Sequence, residues 1–392
     1  MNYYNLTGQV NDQDTSAIQT LQPKNLIACA ENAVSALIQV LNQILANPLN
    51  PANLTNFLLA VTKFTVAVTL SCPVNVATQL INCINSNGFN NIPGILDCIN
   101  AINTETVLRS YITSGSNTVS VCTVDSTTGA LDACQDAGGS GFNLPYGIAI
   151  DAKSQHAYFA NYLNDTVSVC TIKNTGQLST CRTTGSGFRH PASIALINLS
   201  DNPSAVFAYV VNQSNSISKC NVAADGTLSN CQATGNFFDP SDITFNALNT
   251  YAYVTDASLN KVLVCKVDPT TGALSACQDA GGSGFNFPYG IVLDKTNTNA
   301  YIVNRRGSSV LRCAINSDGT FSSCQLTGSG FSGPTDIALI GLSNSPSTAF
   351  VYITNQLNNT VSKCNIAADG TLGDCQVVAN DFNIPLAIAF NG

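Results

Sequence analysis

Twenty residues beginning at Gly129, GALDACQDAGGSGFNLPYGI, return from Gly272 as GALSACQDAGGSGFNFPYGI. Cys134 and Cys277 lie 143 residues apart, as do Cys170 and Cys313, and Cys220 precedes Cys364 by 144. NVAADGTLSNCQ at Asn221 returns as NIAADGTLGDCQ at Asn365. A half-chain of this length has been doubled. Within each half runs a shorter repeat marked by cysteine pairs: Cys122 and Cys134, Cys170 and Cys181, Cys220 and Cys231, Cys265 and Cys277, Cys313 and Cys324, Cys364 and Cys375. Successive pairs start 48, 50, 45, 48 and 51 residues apart. Each unit carries four short runs rich in Ile, Val, Tyr and Thr, separated by turn residues, which predicts four strands. Four-stranded units at this period signal a β-propeller.

The ends set the number of blades. The first unit, from about Thr106, has VLRSYIT, TVSVCTV and ALDACQD but no opening strand, while the chain finishes on IPLAIAFNG, an opening strand with nothing after it. If that last strand completes the first blade, six blades close into a ring, and closure removes the edges of an open array. AYFANYLNDTVSVC at Ala157 and VYITNQLNNTVSKC at Val351 resemble the Tyr-Val-Thr-Asn propeller repeat, which is related to NHL and lactonase-type propellers. The resemblance covers about 290 residues. It implies the propeller fold, and it is compatible with binding proteins and enzymes alike. A cysteine pair in every blade departs from the usual repeat.

Turn chemistry predicts how those cysteines pair. The midpoint between Cys220 and Cys231 falls at Asp225-Gly226, that between Cys313 and Cys324 at Asp318-Gly319, and that between Cys364 and Cys375 at Asp369-Gly370. Asp-Gly suits a two-residue hairpin loop. For Cys170 and Cys181 the midpoint is Thr175-Gly176. The two wider pairs, Cys122 with Cys134 and Cys265 with Cys277, centre on Thr128 and Thr271 inside TTG, a three-residue loop ending in Gly. Six hairpin disulfides are therefore expected, with the cysteines directly opposed at about 4.5–5.5 Å between Cα atoms. Each closes a short loop and contributes about 2–3 kcal/mol.

Residues 14–105 read differently. NLIACAENAVSALIQVLNQILAN and PANLTNFLLAVTKFTVAVTLSC are apolar at helical spacing and bounded by Pro48, Pro51 and Pro73. Shorter helices are predicted near 74–86 and 93–104. The expected organisation is a multi-domain chain: an all-α, disulfide-linked helical domain over 1–105, with a flexible tail at 1–13, then the six-bladed propeller over 106–392. Antiparallel packing about the two turns pairs Cys29 with Cys72 and Cys83 with Cys98.

Sixteen cysteines, no CxxC pair and two histidines argue for disulfides in an oxidising compartment rather than zinc. No cofactor is expected. A net charge of −8 argues against nucleic acid. No apolar run reaches the roughly 18 residues of a membrane span. MNYYNLTGQVNDQD has no basic start and no apolar stretch, so no signal peptide is expected within this chain. The predicted location is extracellular or periplasmic.

Lactonase-type propellers carry a catalytic or metal site on the channel, often with Glu and His. Here Glu31 and Glu105 precede the repeat, and of His156 and His190 only His190 lies in a link to an inner strand. No Ser/His/Asp set assembles, and GGSGF leads to a proline and a strand rather than to a helix, unlike a phosphate loop. The candidate site comes from differences between the halves. The second residue after the link proline is Gly147, Ser193, Asp242, Gly290, Asp336 and Ala387 around the ring; Tyr162-Leu163 in the first half becomes Arg305-Arg306 in the second. Asp242, Asp336, Arg305 and Arg306 are expected on one face, with Tyr146 and Tyr289 beside them and His190 in reach. The predicted function is a non-enzymatic binding or surface-interaction protein taking a protein or glycan partner there. The alternatives are a lactonase-like hydrolase with a channel site and an apolar-ligand carrier acting through the helical domain.

Overall fold

In a computed structural model, the structure describes residues 107–391, apart from 126, 200–201 and 342–348, with backbone only at 202–204. The described chain is all-β: six four-stranded antiparallel sheets, with no α-helix among the described residues and one 3-10 turn at Tyr162–Asn164. This corrects the mixed α and β class read from the sequence. Apolar helical spacing at 14–105 does not enter the architecture seen here; the helical domain, its tail at 1–13 and Cys29, Cys72, Cys83 and Cys98 lie outside the described residues.

The sheets are the blades of a ring. Blade 1 joins the C-terminal strand Pro385–Asn391 to Arg109–Ser114, with Tyr111 opposite Ala389 and Ile112 opposite Ile388. The inner strands of blades 2 to 6 are Pro145–Ile150, Pro191–Leu199, Pro240–Phe245, Pro288–Leu293 and Pro334–Gly341. Each inner strand contacts the next around the ring, including the C-terminal strand with blade 2. The orphan strand therefore closes the ring as its sequence required.

Burial follows position in the blade. Second strands such as Asn299–Asn304 are buried at every residue because neighbouring blades cover both faces, so they read as apolar runs. Outer strands such as Phe321–Thr327 bury only their ends and carry Ser, Cys, Gln and an exposed Leu between. Each second strand holds one fully buried tyrosine: Tyr111, Tyr158, Tyr209, Tyr253, Tyr301 and Tyr352. Four of them stitch blades together, donating to the hairpin-glycine carbonyl of the next blade: Tyr111 to Gly176, Tyr209 to Gly272, Tyr301 to Gly370 and Tyr352 to Gly129.

All six hairpin disulfides form with the expected partners: Cys122 with Cys134, Cys170 with Cys181, Cys220 with Cys231, Cys265 with Cys277, Cys313 with Cys324, and Cys364 with Cys375. The expectation that every pair is directly opposed is corrected: opposition in the ladder holds only for Cys313 and Cys324. At Cys122, Cys170, Cys220, Cys265 and Cys364 the ladder shifts instead. The residue before each partner, Cys134, Cys181, Cys231, Cys277 and Cys375, takes positive φ, from 47° at Ala276 to 50° at Thr180 and Asn230. With or without that bulge the Cα atoms lie 4.0 to 4.1 Å apart, closer than expected. The bridge of one blade then packs on the link arriving from the last. A Cβ on Gly282 (φ 85°) would lie 2.5 Å from Cys324 Sγ, so the GGSGF glycines make room for sulfur. Phe188, Phe331 and Phe382 are buried at these joints, with Phe142 and Phe285 partly so. At the joint leading into blade 4 it is Phe237, not the adjacent Phe238, that is buried; Phe238 is 57% exposed.

Candidate functional site

Every inner strand begins with its proline at one end of the ring, here called the upper end, and each second strand ends there. The same hydrogen bond closes each junction: the residue after the second strand donates its N–H to the carbonyl before the proline. Tyr162 thus bonds Leu144, Gln213 bonds His190, Ala257 bonds Asp239, and Arg305 bonds Phe287, at 3.1 Å in each case. These positions are equivalent, so side chains placed there face the channel mouth from successive blades. The buried asparagines one residue earlier are spent on the fold: Asn161, Asn212, Asn304 and Asn355 each accept a link N–H.

The mouth is aromatic. Tyr146 of blade 2 and Tyr289 of blade 5 come from opposite sides, with ring centroids 6.2 Å apart. Tyr162 lies 5.3 Å from Tyr146, and His190 lies 5.0 Å from Tyr162. Phe287 stacks on Tyr289 at 5.6 Å. Both arginines stand on this platform: Arg305 is 4.9 Å above the Tyr289 ring and Arg306 4.0 Å above that of Phe287, within cation–π range. Arg305 also donates to Gln356 Oε1, and Gln213 Nε2 donates to the Tyr289 hydroxyl at 3.0 Å. Burial, then the neighbouring Tyr289, holds the Tyr146 hydroxyl well above the ordinary phenol range, so it is a neutral donor at physiological pH.

Asp242 and Asp336 occupy a different level. They sit in the channel wall below the tyrosines, in a cavity of about 150 Å³ lined by three consecutive residues from each of the six inner strands. Asp242 Oδ1 accepts from Ser193 Oγ at 2.5 Å and from the N–H of Ile243, and Oδ2 accepts from the N–H of Ile291 in the next blade at 2.8 Å. Asp336 accepts from the N–H groups of Ile337 and of Ile388 in the next blade, both at 2.8 Å. Both residues line the cavity and are half-buried there. Desolvation, joined for Asp242 by the charge of Asp336, raises both pKa values and outweighs these hydrogen bonds. The pair therefore tends to hold a proton where free aspartates hold none.

Glycine makes this arrangement fit. A Cβ on Gly147 would lie 2.6 Å from Ser193 Cα, and one on Gly290 would lie 2.7 Å from Asp336 Cα and 2.9 Å from its Oδ1. The inner strands are too close there for any side chain.

The structure thus brings Tyr146, Tyr289, Arg305, Arg306 and His190 to the mouth and sets Asp242 and Asp336 beneath it. Among the described residues neither arginine lies within ion-pair distance of a carboxylate, and no three His, Cys, Asp or Glu side chains converge as metal ligands. Sequence reasoning did not select Tyr162, Phe287, Gln213, Gln356 or Ser193. The ring position that selected Arg305 also selects Tyr162, Gln213 and Gln356.

A family model described as "Lactonase, 7-bladed beta-propeller" matches residues 109–285, although this ring has six blades. No curated protein matches the chain. Solved structures with the same fold include a putative 6-phosphogluconolactonase from Bacteroides fragilis, 14% identical with a TM-score of 0.54, covering 74% of this chain and 99% of that one. The periplasmic gluconolactonase PpgL of Pseudomonas aeruginosa is 13% identical with a TM-score of 0.51, covering 73% and 99%. A chain of the nidogen/laminin complex is 12% identical with a TM-score of 0.55, covering 73% and 98%. The likeness is one of fold. Among the described residues no helix is long and apolar enough to cross a membrane.

Proposed function

We propose that this propeller is a binding protein of an oxidising, extracellular or periplasmic setting, and that it meets its partner with the upper end. One observation carries the reading. Arg305 and Arg306 are held on aromatic rings at the mouth, with no carboxylate within ion-pair distance among the described residues. Guanidinium groups stacked on aromatics and left without a counter-charge are built to receive an anionic or polar group. The disulfide in every blade supports the setting. A photo-crosslinking residue in place of Leu357 at the upper end should give adducts with material from the native surroundings. The same residue in place of Leu248, at the lower end, should give none. Adducts at Leu248 alone, or equally at both, would overturn the proposal.

A second reading has its own support. The match to the lactonase model and the proton-holding carboxyl pair beneath an open mouth favour a lactone hydrolase, with Asp242 handling the proton. Aldonolactones and aliphatic lactones turned over by the intact chain, with loss in Asp242→Asn, would establish it. No turnover across both classes would remove it.

A further inference from the structure

The upper end carries more apolar surface than the mouth itself uses. Nine large hydrophobic side chains stand exposed among the described residues, and five of them lie on upper loops: Leu163, Phe238, Leu259, Leu357 and Ile384. Leu357 is 74% exposed and Leu163 62%. They surround the mouth from blades 1, 2, 4 and 6, while Arg305 and Arg306 enter from blade 5. Among the described residues the lower end exposes Leu248 and Val107 in this class. An apolar collection on one end of a ring marks an interaction surface rather than scattered exposure.

We infer that the occupant is a protein partner, docking through an extended segment in which a carboxylate is flanked by apolar side chains. This rests on the upper end being the binding surface. The carboxylate meets Arg305 and Arg306. Arg305 has five N–H donors and spends one direction on Gln356, leaving its fork open toward the mouth. Near the mouth, Asp165 accepts the N–H of His190 and Asp239 the hydroxyl of Ser258. With a net charge of −8 on the whole chain, an acidic segment is repelled by most of the surface and drawn to this patch, which fixes its orientation. The apolar flanks cover Leu163, Leu259 and Leu357. A glycan could stack on the tyrosines, but its hydroxyl-rich edges would leave the leucines bare. Tyrosine and arginine at the centre with apolar residues around them is the composition of a protein hot spot.

The test is a random dodecapeptide phage library panned on the intact chain, followed by affinity measurements with synthetic copies of the enriched sequences. Enriched peptides should carry Asp, Glu or a free C-terminal carboxylate beside Leu, Ile, Phe or Tyr. Their Kd should rise at least about tenfold in Arg305→Ala and about tenfold again when that carboxylate is amidated, as expected of a hot-spot contact. Leu357→Asp, at an exposed position that leaves folding alone, should weaken binding to a similar degree. Arg182→Ala, on the ion pair with Asp225 at the lower end, should leave it unchanged. No enriched sequence, or peptides indifferent to Arg305→Ala, amidation and Leu357→Asp, would overturn the inference. A glycan-array ligand lost in Arg305→Ala, or a dimer abolished by Leu357→Asp in light scattering, would also overturn it. Either result would keep the upper end as the binding surface, whereas crosslinks confined to the lower end would remove both.

Discussion

The two ends of the ring are built from the same repeats and finish differently. At the lower end the described turns bind their own polar groups. Asp268 accepts from the backbone and hydroxyls of Thr270 and Thr271, Asp318 does the same with Thr320, and Asp369 with Thr371. Asp294 gathers Thr296, Thr298 and Asn299, and Asp151 holds His156. Each carboxylate is thereby anchored within its own turn, through Oδ1 alone at Asp268, Asp318 and Asp369. At the upper end the asparagines are spent on the links, but the residues that follow them project tyrosine, arginine and leucine into solvent. A surface whose polar groups are satisfied internally is complete by itself; one that presents stacked cations and bare leucines is completed by something else.

The largest expected effect joins the ends. Gly147→Val places side-chain atoms inside the backbone of Ser193 and should cost more than about 3 kcal/mol, or prevent ring closure. A melting temperature within a few degrees of the parent would show that the inner strands can part. Next, Tyr289→Ala removes the support of Arg305 and a buried ring, and should cost about 3 kcal/mol in chemical denaturation while abolishing binding at the upper end. Binding that survives would separate the arginine from its platform.

Opposite pH signatures sharpen the comparison further. The channel pair has raised folded pKa values, so the folded state binds more protons than the unfolded chain, and its contribution is full below about 4 and fades as pH rises through the folded values, by up to about 1.4 kcal/mol per pH unit per proton. Asp294, where burial opposes but hydrogen bonds from Asn299 and Thr298 win, has a lowered pKa. Its contribution is present above about 4 and lost on acidification. Denaturation from pH 2 to 8 should therefore show the parent losing ground to Asp242→Asn as pH rises above about 4, and Asp294→Ala closing its deficit of about 1–2 kcal/mol only as pH falls below about 4. Parallel curves would refute the assignment. The smallest effect is Leu357→Ser, which should change stability by no more than about 0.5 kcal/mol while still weakening binding.

Much of this was legible because the repeat repeats its turns. Asp-Gly and TTG at the midpoints fix which cysteines meet, and the orphan strands at the two ends fix the blade count. The bulge at five of the bridges was not legible, since Ala133, Thr180 and Asn230 share no residue type that signals positive φ. Phe237 and Phe238 adjoin, and a one-residue step decides which is buried. Ring position correctly brought Arg305 and Tyr289 to one end, but position along the sequence does not give depth. Asp242 belongs to the channel because its carboxyl reaches the Ile291 N–H across the blade boundary, a contact that the sequence spacing does not announce.

The bridges and the closing strand also impose an order on biogenesis. Each disulfide spans 11 or 12 residues, so every hairpin can oxidise soon after it leaves the ribosome or translocon, with its correct partner nearest in the chain. Ring closure has no such local route, because Arg109–Ser114 waits for Pro385–Asn391 to pair with it. Throughout synthesis the first blade keeps a naked edge while finished blades accumulate behind it. The most vulnerable moment of this molecule therefore comes just before its last seven-residue strand is delivered.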